Sequence, residues 1–182
     1  ALDAKGSYTR GHSTRVADLA VMIAEQLEYD NAGIKRIRMA GVLHDIGKIG
    51  INDALHRKPS RLTADEFEQI KQHPVLGFNI LKEIKLFRNI LPAIRHHHES
   101  WDGTGYPDGL SGESIPRDAQ ILAVADAFDA MTSDRPYRSS ISVDRVIDTL
   151  KSGSGKQWAA DVVEALLSTE AVELGKAKHT NL

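Results

Sequence analysis

The chain has no cysteine among its 182 residues, so any metal it binds must be held by imidazole and carboxylate rather than thiolate. The same absence fits a reducing compartment. Charge of one sign is also missing: 23 Lys and Arg stand against 25 Asp and Glu, a net charge of −2 with a pI near 6.5. No global basic field exists to draw in duplex nucleic acid or an anionic membrane, and neither is an expected partner. No apolar run approaches the roughly 20 residues that cross a bilayer, and no basic leader with an apolar core opens the chain. The expected setting is the cytoplasm. There is no internal repeat and no low-complexity tract, and the length suits one domain with a single core. The chain starts at Ala1 rather than Met, with a motif close behind, and reads as a domain cut from a longer polypeptide.

Apolar residues recur at helical spacing in several blocks and show no sustained strand-like alternation, which predicts an all-α domain. Val16, Leu19, Ala20, Ile23 and Leu27 form a stripe on a helix over about 10–28, with His12 facing inward at its first turn. A second helix is expected over about 32–45, carrying Ile34, Ile37, Val42 and Leu43 and ending near Gly47 as a left-handed cap. Thr63 with Glu66 reads as a capping box opening a helix to about Lys71. Pro74 suits the first turn of the next helix, to about Lys85. Residues 86–98 read as one further helix weakened by Pro92. The Gly, Asp and Pro between Ser100 and Ser114 mark a long ordered loop. Pro116 opens a helix carrying Ile121, Val124, Ala125, Asp126, Phe128 and Met131. Ser142 caps another to about Lys151, and a last helix covers about 160–167. The tail after Thr169 is weakly patterned.

Five histidines and two aspartates stand out: His12, His44-Asp45, His73-Pro74, His97-His98 and Asp126. Taken singly, each histidine is more often a satisfied, partly buried side chain than a ligand. Together they mark helix ends, and Asp126 interrupts an apolar helix face where an unpaired carboxylate would cost several kcal/mol to bury. A cation there would offset that penalty. Such a set can hold a pair of divalent metals about 3.5–4 Å apart, which would share a hydroxide, lower its pKa and aim it at phosphorus. Nitrogen and oxygen ligands suit iron or manganese first, with nickel, zinc and cobalt also compatible.

These residues sit in blocks that resemble a known family. His44-Asp45-Ile46-Gly47-Lys48 is similar to the HDxGK core of the HD superfamily of metal-dependent phosphohydrolases. The run from His97 to Pro107, His-His-Glu-Ser-Trp-Asp-Gly-Thr-Gly-Tyr-Pro, resembles the HHExWDGxGYP signature of its HD-GYP subfamily. Tyr8 to Val16, His73-Pro74, Ala123 to Asp126 and Arg135-Pro136-Tyr137-Arg138 match as well. The resemblance spans about 8–167, with 168–182 as a C-terminal tail, so 1–182 is read as one HD-GYP domain. It implies a compact bundle of about six to eight helices with an ordered glycine-rich GYP loop.

The resemblance implies a phosphodiesterase of bacterial second-messenger signalling, hydrolysing cyclic di-GMP to linear pGpG or GMP through a hydroxide bridging a dinuclear centre. Carried over by position, His12, His44, Asp45 and Asp126 hold one metal, and Asp45, His73, His97 and His98 the other, with Asp45 as the bridge. Lys48 is the expected catalytic cation beside Asp45, contacting the scissile phosphate or the leaving 3′-oxygen. Lys48, Asp129 and Arg135 match positions linked with substrate or metal-bound water. Tyr106, on the GYP loop, either lines the substrate site or packs on the core. The family also implies contact of that loop with diguanylate cyclase (GGDEF) domains, and an N-terminal receiver or sensor domain in the full-length protein. Family members that bind three metals carry a glutamate four residues before the first histidine, where this chain has Tyr8, so two metals are expected. Ser60 and Trp158-Ala159-Ala160 depart from the family pattern away from the ligands. His56, His96 and His179 match no motif. Two alternatives stand beside this reading: preference for 3′,3′-cyclic GMP-AMP, and a catalytically silent module that binds a cyclic dinucleotide or a protein. A general HD nucleotidase would leave the GYP block without purpose.

Overall fold

A computed structural model describes residues 11–56, 58, 60–133 and 141–172. Among them there is no strand; nine α-helices follow in the order α1 (His12–Gln26), α2 (Asn31–Leu43), α3 (Asp53–His56), α4 (Ala64–Ile70), α5 (His73–Leu81), α6 (Leu91–His96), α7 (Arg117–Thr132), α8 (Val143–Gly153) and α9 (Ala160–Leu167). The all-α expectation holds. The count slightly exceeds the predicted range because α3 is only one turn long.

The core is built on α1 and α7, which pack against each other and against α2, α6 and α9. Val16, Ala17, Ala20, Ile23 and Ala24 bury one side of α1, against Ile121, Leu122, Val124 and Ala125 of α7 and Val162 and Leu166 of α9. Small residues let α1 and α2 approach closely: a Cβ on Gly41 would lie 2.6 Å from the Ala17 Cα. Ile37 is buried as its spacing predicts, whereas Val42 points to solvent. Arg36 of α2 forks onto Asp118 of α7, with Nε 2.6 Å from Oδ2, and Tyr29 donates to the same carboxylate at 3.0 Å. This pair fixes α2 against the central helix.

Several local signals read as expected. Thr63 and Glu66 make both halves of the capping box on α4, and Pro74 lies in the first turn of α5. Two expectations are corrected. Residues 86–98 are not one helix: a 3₁₀ turn over Lys85–Phe87 comes first, and Pro92 opens α6 at its first turn, where no backbone donor is needed. Gly47 is not a left-handed cap. The α-helix stops at Leu43 and the chain continues through His44 and Asp45 into a 3₁₀ helix, Ile46–Gly50. Glycine is required at 47 by contact, since a Cβ there would lie 1.9 Å from the His73 carbonyl oxygen and 2.4 Å from the Gly77 nitrogen. The turn after Asp45 is thereby seated directly on α5.

Between α8 and α9, Gly155 lies in the left-handed region, φ 72°. Trp158, where the family pattern differs, is buried against Gly153. Tyr8, Arg135 to Arg138 and His179 lie outside the described residues.

The contact at Gly47 generates a prediction. Gly47→Ala drives a methyl into backbone and is expected to cost about 3 kcal/mol or more, the upper range for overpacking. Gly50→Ala meets only the end of the Leu76 side chain, at 3.1 Å, and is expected to cost less than about 1 kcal/mol. Thermal melts of the two variants beside the parent check this; equal melting temperatures would remove the close approach as a constraint.

Candidate metal centre

Every predicted ligand except Asp126 stands at a helix end. His12 is the first residue of α1, His44 and Asp45 directly follow α2, His73 is the first residue of α5, and His97 and His98 directly follow α6. Asp126 projects from the middle of α7. The bundle brings these ends together: the rings of His12 and His44 lie 5.5 Å apart, His44 and His97 5.2 Å, His73 and His97 5.3 Å, and His97 and His98 4.3 Å.

The ring orientations follow from local backbone. His44, His73 and His97 each place Nδ1 on the carbonyl three residues earlier, those of Gly41, Ile70 and Ile94, at 2.7, 2.8 and 2.8 Å. A carbonyl only accepts, so Nδ1 carries the proton and Nε2 presents a lone pair. Those lone pairs converge. Nε2 of His73 lies 3.3 Å from Nε2 of His97 and 3.3 Å from Asp45 Oδ1. Nε2 of His44 lies 3.4 Å from Asp45 Oδ2. His44 Nε2 and Asp45 Oδ1 are buried without a hydrogen-bond partner. Acceptors facing acceptors in a buried space are costly, a cation between them would offset that cost, and imidazole with carboxylate is a donor set that suits a divalent transition metal.

Two groups meet the spacing of a metal site. One is His12, His44 and Asp126; the other is His73, His97 and His98; in each, the donor atoms lie within 4.8 Å of one another. Asp45 divides its oxygens between them. Oδ2 is 3.7 Å from His12 Nε2 and 3.4 Å from His44 Nε2, while Oδ1 is 3.3 Å from His73 Nε2. A further set, His44, Asp45 and His97, overlaps both. The cluster of His96, Glu99 and Asp108 is different, because its carboxylates are already engaged: Asp108 takes Arg95 and His96, and Glu99 accepts the backbone N–H groups of Asp108 and Leu110.

Protonation divides the centre. Burial pushes His73 down to about 3 and also lowers His97 and His98, so these rings are neutral and ready to ligate at neutral pH. For His12 burial disfavours the charge, but hydrogen bonds to Asp126 and Asp129 outweigh it and push the pKa up to about 9. Burial opposes the charge on Asp45 as well, yet Lys48, followed by His44, His73 and His97, holds its carboxyl well below the usual range. Asp126 is lowered by His12 and His44 against its own burial.

Lys48 lies within the 3₁₀ helix, three residues after Asp45, and its Nζ is paired with Asp45 Oδ2. Asp129, expected to face substrate or water, is buried and engaged by protein: Oδ2 accepts from His12 Nδ1 at 2.7 Å, and Arg15 donates to both oxygens, through Nε at 2.5 Å and Nη2 at 3.0 Å. Arg15 was legible only as part of a matched block. The signal that locates it is the shared spacing of three, His12 with Arg15 on α1 and Asp126 with Asp129 on α7.

Tyr106 joins the centre through His98, on which its ring stacks at 4.9 Å and 21°. Burial, then Asp126 and Asp45, raise its pKa, so the phenol stays protonated. Lys71 Nζ sits 5.6 Å from the same ring. The loop is held from several sides. Glu99, which sequence reasoning did not single out, anchors Asp108 and Leu110, and backbone bonds tie Trp101 and Asp102 to Gln157 and Lys156. Gly105 passes so close to Glu99 and Ser100 that a Cβ would lie 2.2 Å from the Ser100 nitrogen.

The opposed histidine shifts set the pH response of the metal-stripped protein. His73, His97 and His98 stay neutral when folded but take up protons when unfolded below about pH 6.5, so stability falls as pH drops below that value. His12 acts in the opposite sense: its folded pKa is raised to about 9, so its contribution is complete below about pH 6.5 and lost as pH rises through 9. Thermal melts after chelation are expected to peak near pH 6.5, with the steeper decline on the acid side, where three histidines and the lowered carboxylates act together. A melting temperature that rises toward pH 5 would contradict this assignment of charges.

The sequence profile described as "HD domain" matches residues 2–161. A cyclic di-GMP phosphodiesterase of Thermotoga maritima is 43% identical over 169 residues, covering 89% of this chain and 45% of that protein. A 3′3′-cGAMP-specific phosphodiesterase 3 of Vibrio cholerae is 39% identical over 146 residues, covering 80% and 32%. An HDG"Y"P protein from Bdellovibrio bacteriovorus has a similar solved structure, with a TM-score of 0.69 at 22% identity over 85% of this chain and 50% of the other. The chain thus spans about half the length, or less, of these relatives. With the His44-Asp45 pair, the surrounding histidines and the Gly105-Tyr106-Pro107 loop assembled in one place, the chain belongs to the HD domain family, in the branch whose members carry the GYP block.

Proposed function

We propose that this chain is a metal-dependent phosphodiesterase that opens cyclic di-GMP, adding water across one phosphodiester to give linear pGpG, which a second hydrolysis takes to GMP. The observation that carries the reading is the convergence of buried acceptors from His44, Asp45, His73 and His97, in which His44 Nε2 and Asp45 Oδ1 have no hydrogen-bond partner. Two metals are assigned, iron or manganese: one to His12, His44 and Asp126, the other to His73, His97 and His98, with Asp45 serving both. When bound, such a pair supplies a nucleophile at neutral pH and neutralises charge at phosphorus.

The protein's own groups complete the site. Lys48 brings a cation to Asp45, beside the reacting phosphate, where it offsets charge on the departing 3′-oxygen. Tyr106, held protonated and fixed on one face by His98, offers a hydrogen-bond donor and a flat apolar surface to a phosphate or a base. Arg135, by its resemblance to family positions, supplies a planar fork for a second phosphate. Asp129 is read as a partner of His12 rather than of substrate, because His12 and Arg15 already engage both of its oxygens.

A second reading, preference for 3′,3′-cyclic GMP-AMP, is favoured by the relative of that specificity, whose identity to this chain is nearly that of the cyclic di-GMP enzyme. The two substrates share their phosphodiester chemistry and differ in one base, so the choice rests with groups at the rim.

Anaerobic turnover of both dinucleotides, with metal content measured on the same sample and iron or manganese added back, tests the proposal. Metal-dependent conversion to linear product is expected; a chain carrying two metals that converts neither substrate is a binding module instead. Asp45→Ala is expected to lose metal and nearly all turnover together. Lys48→Ala is expected to keep its metal while kcat falls on the order of 10- to 100-fold, about 1.4–2.7 kcal/mol of transition-state stabilisation. Normal activity of the Asp45 variant would overturn the site.

A further inference from the structure

His12 differs from three other imidazoles of the centre in how it is oriented. His44, His73 and His97 each use a backbone carbonyl three residues earlier, a partner that the local fold provides whenever that fold forms. His12 is the first residue of α1. Its Nδ1 instead goes to the Asp129 carboxylate on α7, 117 residues away in sequence. A carboxylate turns about its own side-chain bonds and fixes an imidazole only if it is itself fixed. Arg15 does this. Its guanidinium forks across both oxygens of Asp129, and Ser133 Oγ adds a 3.3 Å contact to Oδ1.

We propose that Arg15 is a positioning residue for the metal half formed by His12, His44 and Asp126, acting through Asp129 to fix the tautomer and ring plane of His12. The proposal rests on the two-metal reading above. The register of the helices makes the link specific: His12 and Arg15 are three apart on α1, Asp126 and Asp129 three apart on α7, and the two pairs face each other. The other half is carried by α5 and the end of α6, where His73 and His97 are set by their own backbone and His98 stacks on Tyr106. Loss of Arg15 therefore weakens one metal and spares its neighbour. A purely structural ion pair would not discriminate between halves, and a cation for substrate phosphate would leave both metals untouched.

The test compares Arg15→Gln and Arg15→Lys with the parent, using metal-stripped protein titrated with Mn²⁺ alone by calorimetry and by chelator competition, together with thermal melts and the split of kcat and KM. Arg36→Gln is the control, since it breaks a comparable buried-end ion pair, to Asp118, that joins α2 to α7 away from the centre. The parent is expected to take two ions. Arg15→Gln is expected to keep one ion at parental affinity and to lose about 10- to 100-fold at the other, the usual effect of removing an outer partner of a metal ligand. Its kcat is recovered by excess Mn²⁺ and its KM is unchanged. Arg15→Lys, which keeps the charge without the fork, falls between. Arg36→Gln leaves both affinities as in the parent.

The proposal is overturned by parental affinity for both ions in Arg15→Gln, by equal weakening of both together with a lowered melting temperature, or by a raised KM with metal binding intact. A parent chain that takes fewer than two ions instead overturns the two-metal reading on which the proposal stands.

Discussion

The structure depends on a set of buried acceptors that face one another around Asp45. Nε2 of His44, Nε2 of His73, Nε2 of His97 and both oxygens of Asp45 lie within 3.3–3.4 Å of their nearest counterparts. Lys48 Nζ reaches Asp45 Oδ2, but His44 Nε2 and Asp45 Oδ1 have no hydrogen-bond partner, and protonating His73 or His97 is opposed by their burial. Such an arrangement is costly for an empty fold and favourable around a cation, because burying unpaired polar groups costs free energy that a metal ion recovers. The helix packing keeps these groups close despite that penalty. Small residues at Gly41 and Gly47 let α1, α2 and α5 approach until the helix ends carrying the ligands meet.

Placing ligands at helix ends solves a geometric problem. A single helix face presents side chains in a row along its axis, whereas a compact centre needs donors converging from several directions. Ends of α1, α2, α5 and α6 supply those directions, and α7 contributes Asp126 from its middle because that helix runs through the core. The i−3 carbonyl contacts of His44, His73 and His97 then fix each ring without help from a distant residue. The His12 ring is fixed by Asp129, which Arg15 holds in turn. Within the centre, His44, His73 and His97 are thus set by local backbone, and His12 by contact between α1 and α7.

The family relation and the geometry support each other without being the same argument. Belonging to the HD domain family follows from a match over 2–161. The geometry adds what the match does not contain: which atoms converge, which rings are neutral, and that the Tyr106 ring stacks on His98 at the edge of the centre. That stacking places the GYP loop against the site, and Glu99 holds it there by accepting two backbone N–H groups of the same loop. Among the described residues no helix is long and apolar enough to cross a membrane.

Much of this was legible in the residues. Apolar spacing alone placed α1, α7 and α9, because their periodicity reports a one-sided environment that the whole bundle shares, and the Thr63–Glu66 box located α4 because capping is a local bond. The residues that converge at the candidate centre were legible as types and order. What the sequence could not determine was contact at a distance. Gly47 looked like a helix cap and proved to be a site of backbone approach to α5, and Pro92 looked like a kink and proved to open α6; that Arg15 and His12 hold Asp129 was likewise not visible in the sequence. The sequence by itself determined which helices form and which donors are available, since periodicity, capping and residue chemistry act within a few positions. Only the tertiary structure decided which lone pairs meet and which half of the centre leans on α7, because those depend on how helices far apart in the chain pack together.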